Sequence, residues 1–281
     1  MRRSAGVPFI SGLPTLFAGD GWDASGIDHG RDSQLMTYQP ERELNLTYDP
    51  QRGWFDFVLY SETPKLWGAA LNATQQLRDS SRYTQEWIGR LQDTEPTPLH
   101  MALVSNDDAP RLWSSCVFDD PESQSAVAGD GCLCLTTFYD PLTWMPVVKQ
   151  HYRTVTGNIE TWTYWTFSPL SLPEGQVLER LIIDQDAGVM WLRNDRGELY
   201  FLPEKTGAGY SVGYGGGGPG KFAAMIEKIV ASDGHDVTPD TSQVTANRHL
   251  TDWTSSPVSD RTRELSLAQL RTLRATGTAP A

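Results

Sequence analysis

The chain has 281 residues, 39% of them hydrophobic, and its 23 Lys and Arg against 35 Asp and Glu leave a formal net charge of −12. Its 10 Trp and other bulky apolar residues exclude a disordered polyelectrolyte, and no apolar run approaches the roughly 18 residues of a membrane-spanning helix. The acidic balance argues against nucleic acid, whose phosphates need a cationic face, and favours a basic protein partner or a small molecule. Cys116, Cys132 and Cys134 are too few, and odd in number, for a disulfide framework. Met1-Arg2-Arg3 followed by apolar residues has the outline of an export leader, but Pro8, Gly12 and Pro14 interrupt it. A cytoplasmic protein that does not enter membranes is therefore expected.

In chain order, residues 1–32 read as an irregular Gly- and Asp-rich segment. Leu44, Leu46 and Tyr48 alternate with polar residues, the Asp49–Gly53 segment has turn chemistry, and Trp54–Tyr60 returns as the second strand of a hairpin. Thr63 and Pro64 open a predicted helix to Leu77, and Ser81–Leu91 is a second, with Tyr83, Trp87, Ile88 and Leu91 on one face. Strands are predicted at Leu99–Val104, Leu112–Phe118, Cys132–Tyr139 and Asn158–Phe167. A hairpin follows, Gly188–Leu192 and Leu199–Leu202 about the turn Asn194-Asp195-Arg196-Gly197, and then a strand at Tyr210–Tyr214. Phe222–Val230 is a helix whose apolar residues 222, 225, 226, 229 and 230 form one stripe. Ser232–Val258 reads as a polar flexible linker, and 259–281 as a terminal helix and tail with a Ser266/Gln269 capping box and a Gly277 stop. The expected class is α+β, a mainly antiparallel sheet flanked by helices, with residues 33–231 as one domain and 63–92 as a helical insertion.

The segment Gly215 to Lys221 matches the spacing G-x-x-x-x-G-K of a phosphate-cradling loop. The next residue, however, is Phe222 where a hydroxyl should hold magnesium, and no run of parallel strands follows. The glycines and Pro219 are better explained as a sharp turn into the helix. Tyr210 to Gly220 also resembles a motif, Gly-Tyr-Gly-Gly-x-Gly-Pro running into an apolar helix, of uncharacterised bacterial domains. That resemblance covers about Val189 to Val230 and implies no activity.

Cys132 and Cys134 share a strand face and, with Cys116 and a histidine, would make a three-sulfur zinc set. C-x-C is not the C-x-x-C knuckle, so the thiols are read as buried small hydrophobes, and neither metal nor cofactor is expected. Asp184-Gln185-Asp186 resembles a carboxylate pair at a strand end, but the Ala187-Gly188 that follows marks a turn. No H-x-x-x-H or H-E-x-x-H spacing occurs, and no catalytic residue is assigned. Trp162 and Tyr164 face one side of their strand and Trp165 and Phe167 the other, which suggests core packing on one side and a ligand platform on the other. The expectation is a non-enzymatic binding protein of immunity or accessory type, with ligand-binding candidates Trp162, Tyr164, Tyr214, Gly216, Gly217, Lys221 and His151. The alternative is an enzyme of bacterial specialised metabolism, with a pocket between strand 158–167 and the Gly-rich turn 213–221.

Overall fold

A computed structural model describes residues 47–49, 54–56, 73–105, 107–205 and 209–279. The irregular segment expected over 1–32 and the helix expected from Thr63 to residue 72 lie outside them. The fold is α+β: among the described residues every strand pairing is antiparallel, and five helices accompany the sheets. The contacts divide the chain into two compact units, with a boundary at Ser168 inside the stretch expected to form one domain.

The first unit comprises, among the described residues, the β1–β2 hairpin, 74–79 and 88–167. In that hairpin β1 (Thr47–Asp49) pairs with β2 (Trp54–Asp56). The main sheet contains β3 (Thr74–Leu77), β4 (Gln92–Asp93), β5 (Ala126–Val127), β6 (Gly131–Tyr139), β7 (Pro146–Thr154) and β8 (Ile159–Phe167). Its order is β3-β8-β7-β6-β4, with β5 also on β6. The long meander β6–β7–β8 is rich in Val, Thr, Trp and Tyr, which suit a pleated surface. Its first turn is closed by buried Asp140, which accepts hydrogen bonds from Arg90 at 2.9 and 2.6 Å. Its second uses Asn158 at φ 47, a left-handed position that Asn tolerates. One sheet face packs Leu135 and Val148 against Leu103 and Leu112, with Met101, Val104, Trp165 and Phe167 around them.

Three predictions fail in this unit. Thr74–Leu77, expected to end a helix, is β3, paired with β8 from Thr74↔Phe167 to Leu77↔Tyr164. Leu99–Val104, expected as a strand, is instead mostly the short helix α2 (Pro98–Met101) and the turn after it; α1 is Arg82–Ile88. Leu112–Phe118, also expected as a strand, is the end of a 3-10 turn (Ala109–Trp113) and the loop beyond it. In both failures a proline at the first turn of the helix starts it, and the apolar residues that follow cover the sheet without joining it.

The second unit comprises 73, 80–87 and 168–279 among the described residues. Its sheet has the order β11-β10-β9-β12, from β9 (Leu178–Asp184), β10 (Val189–Asn194), β11 (Leu199–Phe201) and β12 (Arg263–Ser266). The predicted β10–β11 hairpin is present, in the register Trp191↔Phe201 to Arg193↔Leu199, with Gly197 at φ 79 in the turn. Leu181, Ile182, Ile183, Trp191 and Leu192 are fully buried. Trp87 of α1 packs on this sheet, its ring 5.3 Å from that of Phe201. Asp184-Gln185-Asp186 is a turn, as expected. Buried Asp184 accepts from Ser81 Oγ at 2.5 Å, Trp191 Nε1 at 3.0 Å and the Ala187 N–H at 3.3 Å.

Helix α3 (Gly217–Ala231) buries Phe222, Met225, Ile226 and Ile229 of the predicted stripe completely, while Val230, also assigned to it, is half-buried. It begins two residues before Pro219, which costs nothing because the first-turn N–H groups have no intrahelical partner. A Cβ on Gly218 would fall 2.1 Å from Ser211 Oγ, so a side chain there would displace that hydroxyl. Tyr210–Tyr214 is not the predicted strand. Gly213 turns the chain at φ 91, and its N–H bonds to Thr254 O at 2.8 Å instead of to a sheet.

The stretch 232–258, expected as a linker, contains α4 (Arg248–Thr254), and Val237, Leu250 and Trp253 are buried. Its polar residues close local turns: Asp236 accepts from Thr238 N–H, Asp240 from Ser242 N–H and Asn247 from His249 N–H. The terminal helix α5 (Leu267–Thr276) has the predicted capping box and Gly277 in the left-handed region at φ 75. Leu270 and Leu273 are fully buried, so α5 packs within its own unit. Glu227 of α3 accepts from Arg274 of α5 at 2.8 Å and from the Asn247 N–H at the start of α4.

Candidate functional site

The meander of the first unit places side chains in rows across its second face. Strand alternation and the pairings Cys134↔His151 and His151↔Trp162 put these three residues in one row. The next rows are Cys132, Arg153 and Glu160 on one side and Thr136, Lys149 and Tyr164 on the other. The loop after the 3-10 turn adds Cys116: its Sγ and those of Cys132 and Cys134 all lie within 4.8 Å of one another. Cys132 is buried and the other two are half-buried.

Around the thiols, His151 is held on three sides. Its Nδ1 is 3.9 Å from Cys132 Sγ, its Nε2 is 2.9 Å from Glu160 Oε1, and its ring stacks on Trp162 at 5.1 Å and 14°. Trp162 stays 45% exposed. Two other rings near this face carry cations: the Arg153 guanidinium lies 4.8 Å from the Phe118 ring centre and Lys149 Nζ 5.9 Å from that of Tyr164.

The thiols do not titrate alike. Burial pushes Cys134 up to about 12, helped by its neighbours Cys116 and Cys132, and burial also raises Cys132. Burial opposes ionisation of Cys116 too, but the Phe118 backbone and the thiols of Cys134 and Cys132 outweigh it and hold Cys116 below the ordinary thiol range. Cys132, His151 and Glu160 line up like a nucleophile, base and orienting acid. A nucleophile there would have to be accessible and easily ionised, and Cys132 is neither. Donors of this softness, three sulfurs and one imidazole nitrogen, instead match the ligand set of a thiophilic cation.

The other candidates from the sequence are divided between the two units. Tyr214, Gly216, Gly217 and Lys221 belong to the second unit, at the start of α3. Tyr214 is exposed and bonds Ser211 Oγ at 2.9 Å, which places it in the packing of that turn. Trp162, Tyr164 and His151 belong to the first unit, Tyr164 buried and Trp162 open. The sequence offered Cys116 and a histidine beside Cys132 and Cys134 as a set, but which histidine, and its pairing with Glu160 from another strand, was not legible. Only the shared face of Cys132 and Cys134 was visible in the spacing.

No protein-family model, curated protein or solved structure matches this chain. No helix among the described residues is long and apolar enough to cross a membrane.

Proposed function

We propose that this protein is a non-enzymatic binding protein, and that the open face of its six-stranded sheet takes a basic segment of a protein partner. The observation that carries this reading is Trp162, a large ring laid flat on His151 yet 45% exposed. Exposed indole faces attract guanidinium and ammonium groups, and the cations already resting on Phe118 and Tyr164 are the same chemistry within the chain. The Glu160 side chain, 44% exposed, stands beside the ring, and Asp119, Asp120 and Glu122 are exposed in the neighbouring loop. With a net charge of −12, approach of a cationic partner is favoured at long range.

The test is retention from an extract of the source cells on immobilised wild-type chain and on Trp162→Ala. The expected result is a protein of basic isoelectric point, held by wild type, lost with Trp162→Ala and released by raised salt. Equal retention by both chains, or a partner of acidic character, would overturn the reading.

A further inference from the structure

We propose that Cys116, Cys132, Cys134 and His151 bind one zinc ion in a closed, structural site. Three thiols within 4.8 Å of one another come from two separate segments, the loop after the 3-10 turn and strand β6. In a tetrahedral zinc–thiolate site the sulfurs stand about 3.8 Å apart, from zinc–sulfur bonds of about 2.3 Å. Closing the cluster around an ion therefore takes side-chain adjustments of about 1 Å and no change of register.

The fourth ligand is His151 Nδ1, which lies beside Cys132 but outside the 4.8 Å set of the three thiols, so its ring must shift toward the other two sulfurs on binding. Its 3.9 Å separation from Cys132 Sγ compares with the roughly 3.6 Å between sulfur and nitrogen ligands of one zinc ion. Glu160 at 2.9 Å from Nε2 fixes the tautomer: the carboxylate takes the Nε2 proton as a hydrogen bond, which leaves the Nδ1 lone pair on the side of the thiols. A carboxylate behind a metal-bound imidazole is the usual outer-shell arrangement. Stacking on Trp162 then sets the plane of the ring.

Three sulfurs and an imidazole exclude calcium and magnesium, which take oxygen ligands. Four protein ligands complete the tetrahedron and leave no position for a reacting water, so the role is structural. Binding releases three thiol protons to solvent, with charge balanced as three thiolates and a neutral imidazole around Zn²⁺. The ion would fasten the loop carrying Cys116 to β6 and β7. This proposal is independent of any partner on the open face, because its ligands lie beside Trp162 and do not include it.

The experiment is metal analysis of the full-length chain purified under reducing conditions without chelator, followed by titration of the metal-free chain with zinc and with cobalt(II). The expected result is close to one zinc per chain. Cobalt should give the intense visible bands of a tetrahedral site together with thiolate-to-cobalt charge transfer. Cys116→Ser and Cys134→Ser should lose stoichiometric binding, and Glu160→Gln, which leaves the ligands in place, should weaken zinc affinity by about 10- to 100-fold. Folding of each variant is checked by circular dichroism, and the wild-type titration stands even where a variant fails to fold. Wild-type chain with reduced thiols that takes up no zinc would overturn the proposal, as would octahedral cobalt spectra or stoichiometric copper or iron in place of zinc.

Discussion

The two sheets bury their strands differently. In the four-stranded sheet Leu181, Ile182 and Ile183 are consecutive and all fully buried, so both faces of β9 are covered there, although Glu179 and Arg180 before them are exposed. In the six-stranded sheet β7 is buried from Pro146 to Val148 and then half-buried or exposed from Lys149 to Thr154. One of its faces is closed by Leu103 and Leu112, and the other carries the row Cys134, His151 and Trp162. A strand covered on both sides has no position from which to present a polar group. Asp184, a carboxylate buried within that core, is taken up by the donors of Ser81, Trp191 and Ala187. The second face of the six-stranded sheet is itself covered over Leu77, Val147, Tyr164 and Thr166, and it displays chemistry only where it opens around His151 and Trp162.

If that contrast is right, the second unit should depend on packing wherever it is cut. The largest effect is expected from deleting residues 260–281, which removes β12 and α5 with buried Leu265, Leu270 and Leu273. Losses of about 2–5 kcal/mol for each buried leucine add up to the scale of a whole domain's stability. Hydrogen exchange should then show β9 and β10 unprotected while β6–β8 stay protected; full protection of β9 would break the comparison. A matched pair of substitutions sharpens it. Phe222→Ala should cost about 4 kcal/mol in urea denaturation, against about 1 kcal/mol or less for Trp162→Ala, because only the first ring is fully buried. Exposed Lys221, next to Phe222, should cost less than about 0.5 kcal/mol as Lys221→Ala. A large loss at Lys221 would show that this side chain, too, belongs to the packing of the turn.

Sequence was most informative where one local rule decides the outcome. The turn Asn194–Gly197 specified the β10–β11 hairpin, the stripe from Phe222 to Ile229 specified α3, and Ser266 with Gln269 and Gly277 marked both ends of α5. It misled where short apolar runs fit two structures. Leu99–Val104 and Leu112–Phe118 read as strands, but Pro-initiated turns use the same leucines to cap the sheet from above. Over 232–258 the average polarity hid three anchors, Val237, Leu250 and Trp253, because the surrounding Asp, Ser and Thr bond to their own backbone instead of to water. At the candidate site, β6 showed two thiols on one face, while the placement of Cys116 and Glu160 depends on loop and register contacts that no local pattern encodes.

Acid should separate the two units by their titrating groups. In the first unit His100 is buried, its Nδ1 accepting from the Thr97 N–H at 3.0 Å and its Nε2 lying 2.9 Å from Phe138 O, the geometry of a neutral ring that donates from Nε2. Burial lowers its pKa from the ordinary 6.5, against the pull of the Phe138 and Thr97 backbone. The unfolded chain therefore binds a proton more readily than the folded one. The contribution of His100 is complete above pH 6.5 and is lost as pH falls from there through the folded value. In the second unit Asp236 moves the other way relative to its role: burial alone would raise it, but bonds from Thr238 and Lys228 hold it below its ordinary 3.8. That carboxylate contributes stability above pH 3.8, and the contribution is lost only as pH drops through the lower folded value. Hydrogen exchange at pH 7 and pH 5 should accordingly show β6–β8 losing protection at pH 5 while α3 keeps it, and His100→Gln should remove most of that difference. Equal loss in both units, or a pH response that survives His100→Gln, would show that the buried imidazole is not what ties the first unit to neutral pH.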